Sequence, residues 1–234
     1  MDSSKNQFGY SILGESYDLP LQRTENQTKE SILLNSTLLF AVKGYGSVSM
    51  RDIADSIGIK PASLYNHFAS KEALWYEALD HAKQLYLLYF RHLDEALEKA
   101  GTFREVVAIM FHEPKRMVNV FGCYAFSMIR TEQFRDEAAA KVTNDIMIRY
   151  ATDFTRRHFD LCVEKKMVAP FDTLTVASMI INCTLIAIDI TLQRSLGRPV
   201  PYDVCESLTG LEQFVLRGTL GEEGAAAVGE LESL

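Results

Sequence analysis

Apolar positions recur at intervals of three and four through most of the chain, the period of helices buried along one face. Ile32, Leu33, Leu39 and Phe40 share a face in a first helix expected from about Thr28 to Val42, with Gly44 placed where a left-handed residue closes a helix. Ser49 is a good N-cap for a short second helix, Met50 to Ser56, which turns Ile53, Ala54 and Ile57 inward and stops at Gly58. Pro61 stands at the first position of a third helix, where its fixed φ fits and its missing N–H costs nothing. Leu64 and Phe68 are that helix's buried side. Ser70 caps a fourth helix predicted to reach about Ala100, with Leu74, Ala78, Ala82, Leu85, Tyr89, Leu93 and Leu97 as its stripe. At ~1.5 Å per residue this helix is about 40 Å long.

The helical period continues beyond Gly101. It predicts a helix from Thr102 to about Phe111, a short one starting at Pro114, and another from Phe121 to Thr131. A long helix is expected from Phe134 to Lys166, with Ala138, Val142, Ile146, Tyr150, Phe154, Phe159 and Val163 on its inner side. Asp172 caps Thr173–Ser195, and Tyr202–Arg217 is the last helix. The fold class is all-α. Residues 1–27 read as a mobile arm with a short turn at Leu19-Pro20, 28–72 as a three-helix module, 73–218 as a larger helical domain, and 219–234 as a flexible Gly/Glu/Ala-rich tail.

Composition changes this picture in two places. The formal charge of −7 argues at first against a polyanionic partner, but between Leu21 and Lys71 six basic residues face four acidic ones. The acidic excess therefore lies in the remainder, which need not approach phosphates. The four cysteines (Cys123, Cys162, Cys183, Cys205) are widely spaced in apolar helical stretches and read as reduced core residues of a cytosolic protein. The polar start of the chain carries no leader pattern. The apolar run Val176–Leu192 is broken by Asn182 and Asp189, so a buried helix at a subunit contact fits it better than a membrane span.

Two short helices around a glycine corner, followed by a third with exposed polar positions, are the minimum of a helix-turn-helix. The stretch SMRDIADSIGIKPASLYNHFASKEAL closely resembles the N-terminal signature of the TetR family of transcriptional regulators, with the match reaching back through Ile32, Phe40 and Gly44. The resemblance implies that Tyr65 and His67 touch the DNA backbone, with Tyr65 sometimes reaching a base, and that Lys71 and the hydroxyls of Ser49 and Ser63 meet phosphates. It places Arg51, Lys60, Pro61 and Ala62 at base edges and Asn66 at phosphate or base. Arg51 or Lys60 could pair with guanine and Ala62 with a thymine methyl, while Arg51 has a competing i,i+4 use with Asp55. Lys60 departs from the family's usual capping hydroxyl, and the arm before Thr28 is not strongly basic.

The same resemblance implies a C-terminal ligand-sensing and dimerising domain. Pocket candidates are Phe90, Met110, Phe111, Phe121, Tyr124, Met128, Met147, Tyr150, Phe154 and Ile186, with Arg130, His158, Asn182 and Asp189 as residues that could orient a polar ligand. A pure core is the competing use of the apolar set. Met179, Cys183, Ile186, Ile190 and Phe214 are the expected dimer contacts. No zincin spacing, metal-ligand pattern, phosphate loop or GxSxG occurs, so neither an enzyme nor a metal or cofactor is expected. The expected protein is a cytoplasmic, nucleoid-associated bacterial regulator. It would be a homodimer on double-stranded operator DNA, most simply a repressor released by a small molecule, and not a membrane protein. The alternative is a helical sensing or interaction protein that no longer binds DNA.

Overall fold

The computed structural model describes residues 10–12, 15–17, 25–118, 122–202 and 204–226. Two three-residue strands, β1 (Tyr10–Ile12) and β2 (Glu15–Tyr17), pair antiparallel with Tyr10 opposite Tyr17. They lie within the stretch expected to be an arm. Everything else regular among the described residues is helical, and the architecture is an N-terminal helix-turn-helix region followed by a larger helical domain.

The chain divides into two compact units. The first holds α1 (Glu25–Lys43), a 3-10 turn (Tyr45–Ser47), α2 (Met50–Ser56), α3 (Pro61–Tyr65) and the opening of α4 (Lys71–Leu97) as far as Leu87. The end of α5 (Phe103–Val118) from Arg116, α6 (Gly122–Glu132) and α7 (Glu137–Val142) complete it. Helix α1 packs on α6 and on α2. Ile32, Phe40, Ile53, Leu64, Leu74, Trp75, Met128 and Ile129 are almost wholly withdrawn from solvent. Ser36 and Thr37 are buried inside α1 because each hydroxyl donates to a carbonyl one turn back, on Ile32 and Leu33.

The second unit takes the rest of α4, Phe103–Lys115 of α5, and the chain from Asn144: α8 (Ala151–Glu164), α9 (Thr173–Ser195) and α10 (Val204–Ala226). Helix α9 packs on both α8 and α10. Phe103, Phe111, Phe159 and Ile188 lie at its centre.

Several expected boundaries move. Helix α1 begins at Glu25 rather than Thr28, and α5 passes through Pro114 instead of restarting there. An internal proline forfeits one backbone bond and tends to kink a helix without always ending it. The helix expected from Phe134 starts at Glu137, because the Asp136 carboxylate accepts the Ala139 amide at 2.7 Å and so caps α7. Between α7 and α8 the chain forms a π-helix, Thr143–Tyr150. Up to Ala151 the inner stripe also sits one residue later than predicted, with Ala139, Thr143, Met147 and Ala151 buried and Tyr150 40% exposed, whereas Phe154 and Phe159 are buried as expected. Helix α10 continues to Ala226 past a non-helical Gly221, so helix extends into the stretch expected to be a flexible tail.

Candidate nucleic-acid interface

The exposed face of the first unit is built from its caps. The Ser49 hydroxyl accepts the Asp52 amide at 3.1 Å, and the Asp52 carboxylate accepts the Ser49 amide at 2.8 Å and the Ser49 hydroxyl at 2.6 Å. This capping box satisfies two amides that α2 would otherwise leave open. Those hydrogen bonds, first from the Ser49 side chain and then from its amide, hold the Asp52 carboxyl below the usual carboxylate range. Ile53 and Ala54 are fully buried, so Arg51 on the opposite face projects outward. Its guanidinium lies 3.9 Å from Asp55 with the side chain 83% exposed, a pair too loose and solvated to immobilise it.

The corner between α2 and α3 requires Gly58, whose φ of 71° favours glycine. The Ile59 amide donates back to Ala54 at 3.0 Å and closes the turn. Lys60 stands at the N-cap of α3, its side chain making no capping bond among the described residues, and Pro61 is the helix's first residue. Leu64 and Phe68 are buried at 0% and 2% exposure and fix the rotation of α3. That rotation leaves Lys60, Pro61, Ala62, Tyr65 and Asn66 exposed, with Ser63 and His67 half-buried beside them. The Lys29 ammonium, paired with Glu77, stands 5.4 Å from the centre of the Phe68 ring and ties α1 to α4 over this anchor. A single short helix thus presents a cation, an amide, a phenol and two small apolar groups side by side. This mixture can meet both phosphates and base edges.

Lys71 is used differently from a free surface lysine. Its ammonium donates to the carbonyls of Tyr45 and Val48 at 3.0 Å each and sits 4.2 Å from the centre of the Tyr45 ring. Tyr45 in turn packs on Phe40 and Trp75, at 5.5 and 5.1 Å between ring centres. Burial, then Glu72, Tyr76 and Asp136, push its phenol above the ordinary tyrosine range. Two residues absent from the sequence-derived set are central here, Tyr45 and Glu132. The Tyr45 amide donates to the Glu132 carboxylate at 2.9 Å across 87 positions of sequence, a separation that no local pattern reports.

The expected pocket residues fall in several places. In the second unit the rings of Phe90, Tyr150 and Phe154 meet, with Phe90 and Phe154 4.8 Å apart, and Met110, Phe111 and Met147 are buried. In the first unit Met128 is fully buried and Tyr124 half-buried. Phe121 lies outside the described residues. Ile186 is 46% exposed on α9. A cavity of about 300 Å³ does occur in the second unit; none of the ten apolar candidates lines it, but His158, expected as a residue that could orient a polar ligand, does, together with Asp94, Leu97, Val106, Arg157 and Cys162. There the Asp94 carboxylate holds Arg157 at 3.1 Å and His158 at 2.9 Å. Of the expected dimer residues, Met179, Cys183 and Ile190 are half-buried, and Phe214 is 63% exposed. Among the described residues no cluster of His, Cys, Asp or Glu is arranged to hold a metal.

The fold and this face define a predominantly helical protein with an N-terminal helix-turn-helix. Residues 32–78 match the family model for bacterial regulatory proteins of the tetR family. The chain is 27% identical over 94 residues to the negative transcriptional regulator IcaR of the biofilm operon icaADBC of Staphylococcus epidermidis. That similarity covers 40% of this chain and 51% of the relative. Its counterpart in Staphylococcus aureus strain Newman is 43% identical over 51 residues, 22% of this chain and 27% of that protein. The chain thus spans about half or less of the length of these curated relatives. The crystal structure of the TetR family transcriptional regulator PfmR from Thermus thermophilus is similar with a TM-score of 0.59 at 21% identity, covering 80% of this chain and 97% of that one. Residues 32–78 of this chain are thus similar to the tetR family of bacterial regulatory proteins, and its fold is similar to that of a solved TetR family regulator.

Proposed function

We propose that the chain is a sequence-specific, dimeric repressor that occupies operator DNA and leaves it when a small molecule binds the helical domain. The supporting observation is the face of α3, where Leu64 and Phe68 anchor the helix and Lys60, Pro61, Ala62, Tyr65 and Asn66 project from it. Residues 28–72 are the DNA-binding domain in this reading. Ser63 on α3, and Ser49, Arg51, His67 and Lys71 flanking it, are further phosphate or base contacts. Repression is favoured by the curated relatives, which are named as negative regulators.

The dimer would form through α9 and α10. Met179, Cys183, Ile186 and Ile190 recur at helical spacing on the side of α9 opposite the buried Ala177, Ile181, Leu185 and Ile188. By length and composition α9 could cross a membrane, the one helix among the described residues that could. A partner copy covering that stripe accounts for the same apolarity in a cytosolic protein on the bacterial nucleoid. The inducer site lies in residues 73–218, and α4, which contributes to both units, carries its signal to the reading head.

The test is electrophoretic mobility shift with DNA from upstream of the chain's own gene at two salt concentrations. The expected result is a shift that weakens steeply with salt and is lost in Tyr65→Ala. A chain that shifts none of these fragments would instead be a helical sensing protein without DNA binding.

A further inference from the structure

Helix α1 ends in an unusual way. Gly44 donates its amide to Phe40 at 2.9 Å, and its φ of 79° with ψ of 149° turns the chain sharply out of the helix. In a glycine-ended helix the next amide commonly folds back onto a carbonyl of the last turn. Here that amide, on Tyr45, donates to Glu132 at the end of α6 instead, and Glu132 is 4% exposed. A β-carbon on Gly44 would stand 3.2 Å from the same carboxylate oxygen, so the glycine supplies both the backbone angle and the room.

From the other side, Lys71 holds the carbonyls of Tyr45 and Val48. The turn is therefore gripped at its entrance by the last residue of α6 and at its exit by the first residue of α4. The next residue after Val48 is Ser49, the N-cap of α2. We infer that Glu132 is a positioning residue for DNA binding: its carboxylate fixes the Tyr45 amide and thereby sets the start of α2 and the corner that carries α3. Nothing in its own exposure would let it touch DNA. This role rests on the DNA-binding reading above.

The alternatives for a buried carboxylate are a packing role and a charge role, and three variants separate them. Glu132→Gln keeps an oxygen of the same reach, Glu132→Asp keeps the charge but falls one methylene short, and Glu132→Ala removes the acceptor. Two measurements are made on each full-length variant: hydrogen exchange of the amides from Tyr45 to Ser49, and affinity for the upstream fragment that the unaltered protein shifts. Losing a hydrogen bond to a charged acceptor should reduce protection of the Tyr45 amide by about tenfold or more in Asp and Ala. DNA affinity should fall with it by a similar factor, and Gln should stay within about threefold of the unaltered protein. Asp behaving like the unaltered protein while Gln fails would overturn the assignment in favour of charge. Unchanged Tyr45 protection in both Asp and Ala would overturn it outright, as would lost protection without lost affinity. If the unaltered protein shifts no fragment, the DNA-binding reading fails, and with it the role of Glu132 in binding. The exchange pattern would then still tell whether Glu132 holds the turn.

Discussion

At the scale of single residues, the face of this protein depends on a few side chains that hold backbone rather than ligand. Lys71 is the plainest case. A solvated lysine can be removed at little cost, within about 0.5 kcal/mol. Lys71→Ala should instead lower the unfolding free energy by roughly 1–3 kcal/mol, since two carbonyls lose a charged donor. Urea denaturation without DNA measures this, and a change under about 0.5 kcal/mol would return Lys71 to the solvated class. The same variant should weaken binding to all sequences alike. If the ammonium also meets phosphate, the log–log salt slope drops by about 0.9 per contact. Asp52 gives a pH prediction. Its carboxyl is held below its ordinary 3.8 by Ser49, so the capping box contributes stability above that pH and loses it as pH falls through the lowered value. The carboxyl resonances of Asp52 should titrate below 3.8 in the folded protein and move up towards 3.8 in Ser49→Ala.

At the scale of elements, His81 on α4 is the titrating group to watch. Burial lowers its pKa from 6.5, although Glu30, Asp80 and Glu77 pull the other way. The unfolded chain then binds the proton more readily, so stability is complete above pH 6.5 and declines as pH falls below it. Thermal unfolding midpoints should decline less over that range in His81→Leu than in the unaltered protein. A parallel decline in both would exclude the histidine. The bounds of α2 and α9 and the cap at Ser49 were legible because each rests on local chemistry: a hydroxyl or carboxylate at the N-cap, a glycine or a loop at the end. The inner stripe of the helix through Tyr150 was not. Its buried set includes Thr143, a polar residue made tolerable inside by its bond to the Ala139 carbonyl, and the π-helix that follows departs from a 3.6-residue period. The end of α8 fell within two residues of the expected Lys166, at Glu164, although Lys166, with φ of 57°, adopts the left-handed conformation more usual for glycine. The candidate site divides the same way. The residues exposed on α3 followed from the period of Leu64 and Phe68. The Glu132–Tyr45 bond joins elements whose pairing only the tertiary fold decides.

At the scale of the whole molecule, the question is what covers the outer stripe of α9 and α10. Ile186 and Phe214 are 46% and 63% exposed in the single chain, so neither is needed for that chain to fold. Ile186→Glu and Phe214→Glu should each leave the unfolding free energy of the single chain within about 0.5 kcal/mol of the unaltered value. If the stripe meets itself across a two-fold axis, as proposed, each substitution enters the contact twice. An unpaired carboxylate buried there costs several kcal/mol, roughly a hundredfold or more in dimerisation constant. Sedimentation equilibrium should therefore find the unaltered protein dimeric at micromolar concentration and both variants monomeric. DNA binding supplies the second reading of the same variants. A monomer brings one α3 to a site built for two, so it should bind a near-palindromic operator far more weakly, with the salt slope roughly halved as half the phosphate contacts are lost. Variants that remain dimeric, or monomers that hold the operator as tightly as the unaltered protein, would rule out this face as the dimer contact.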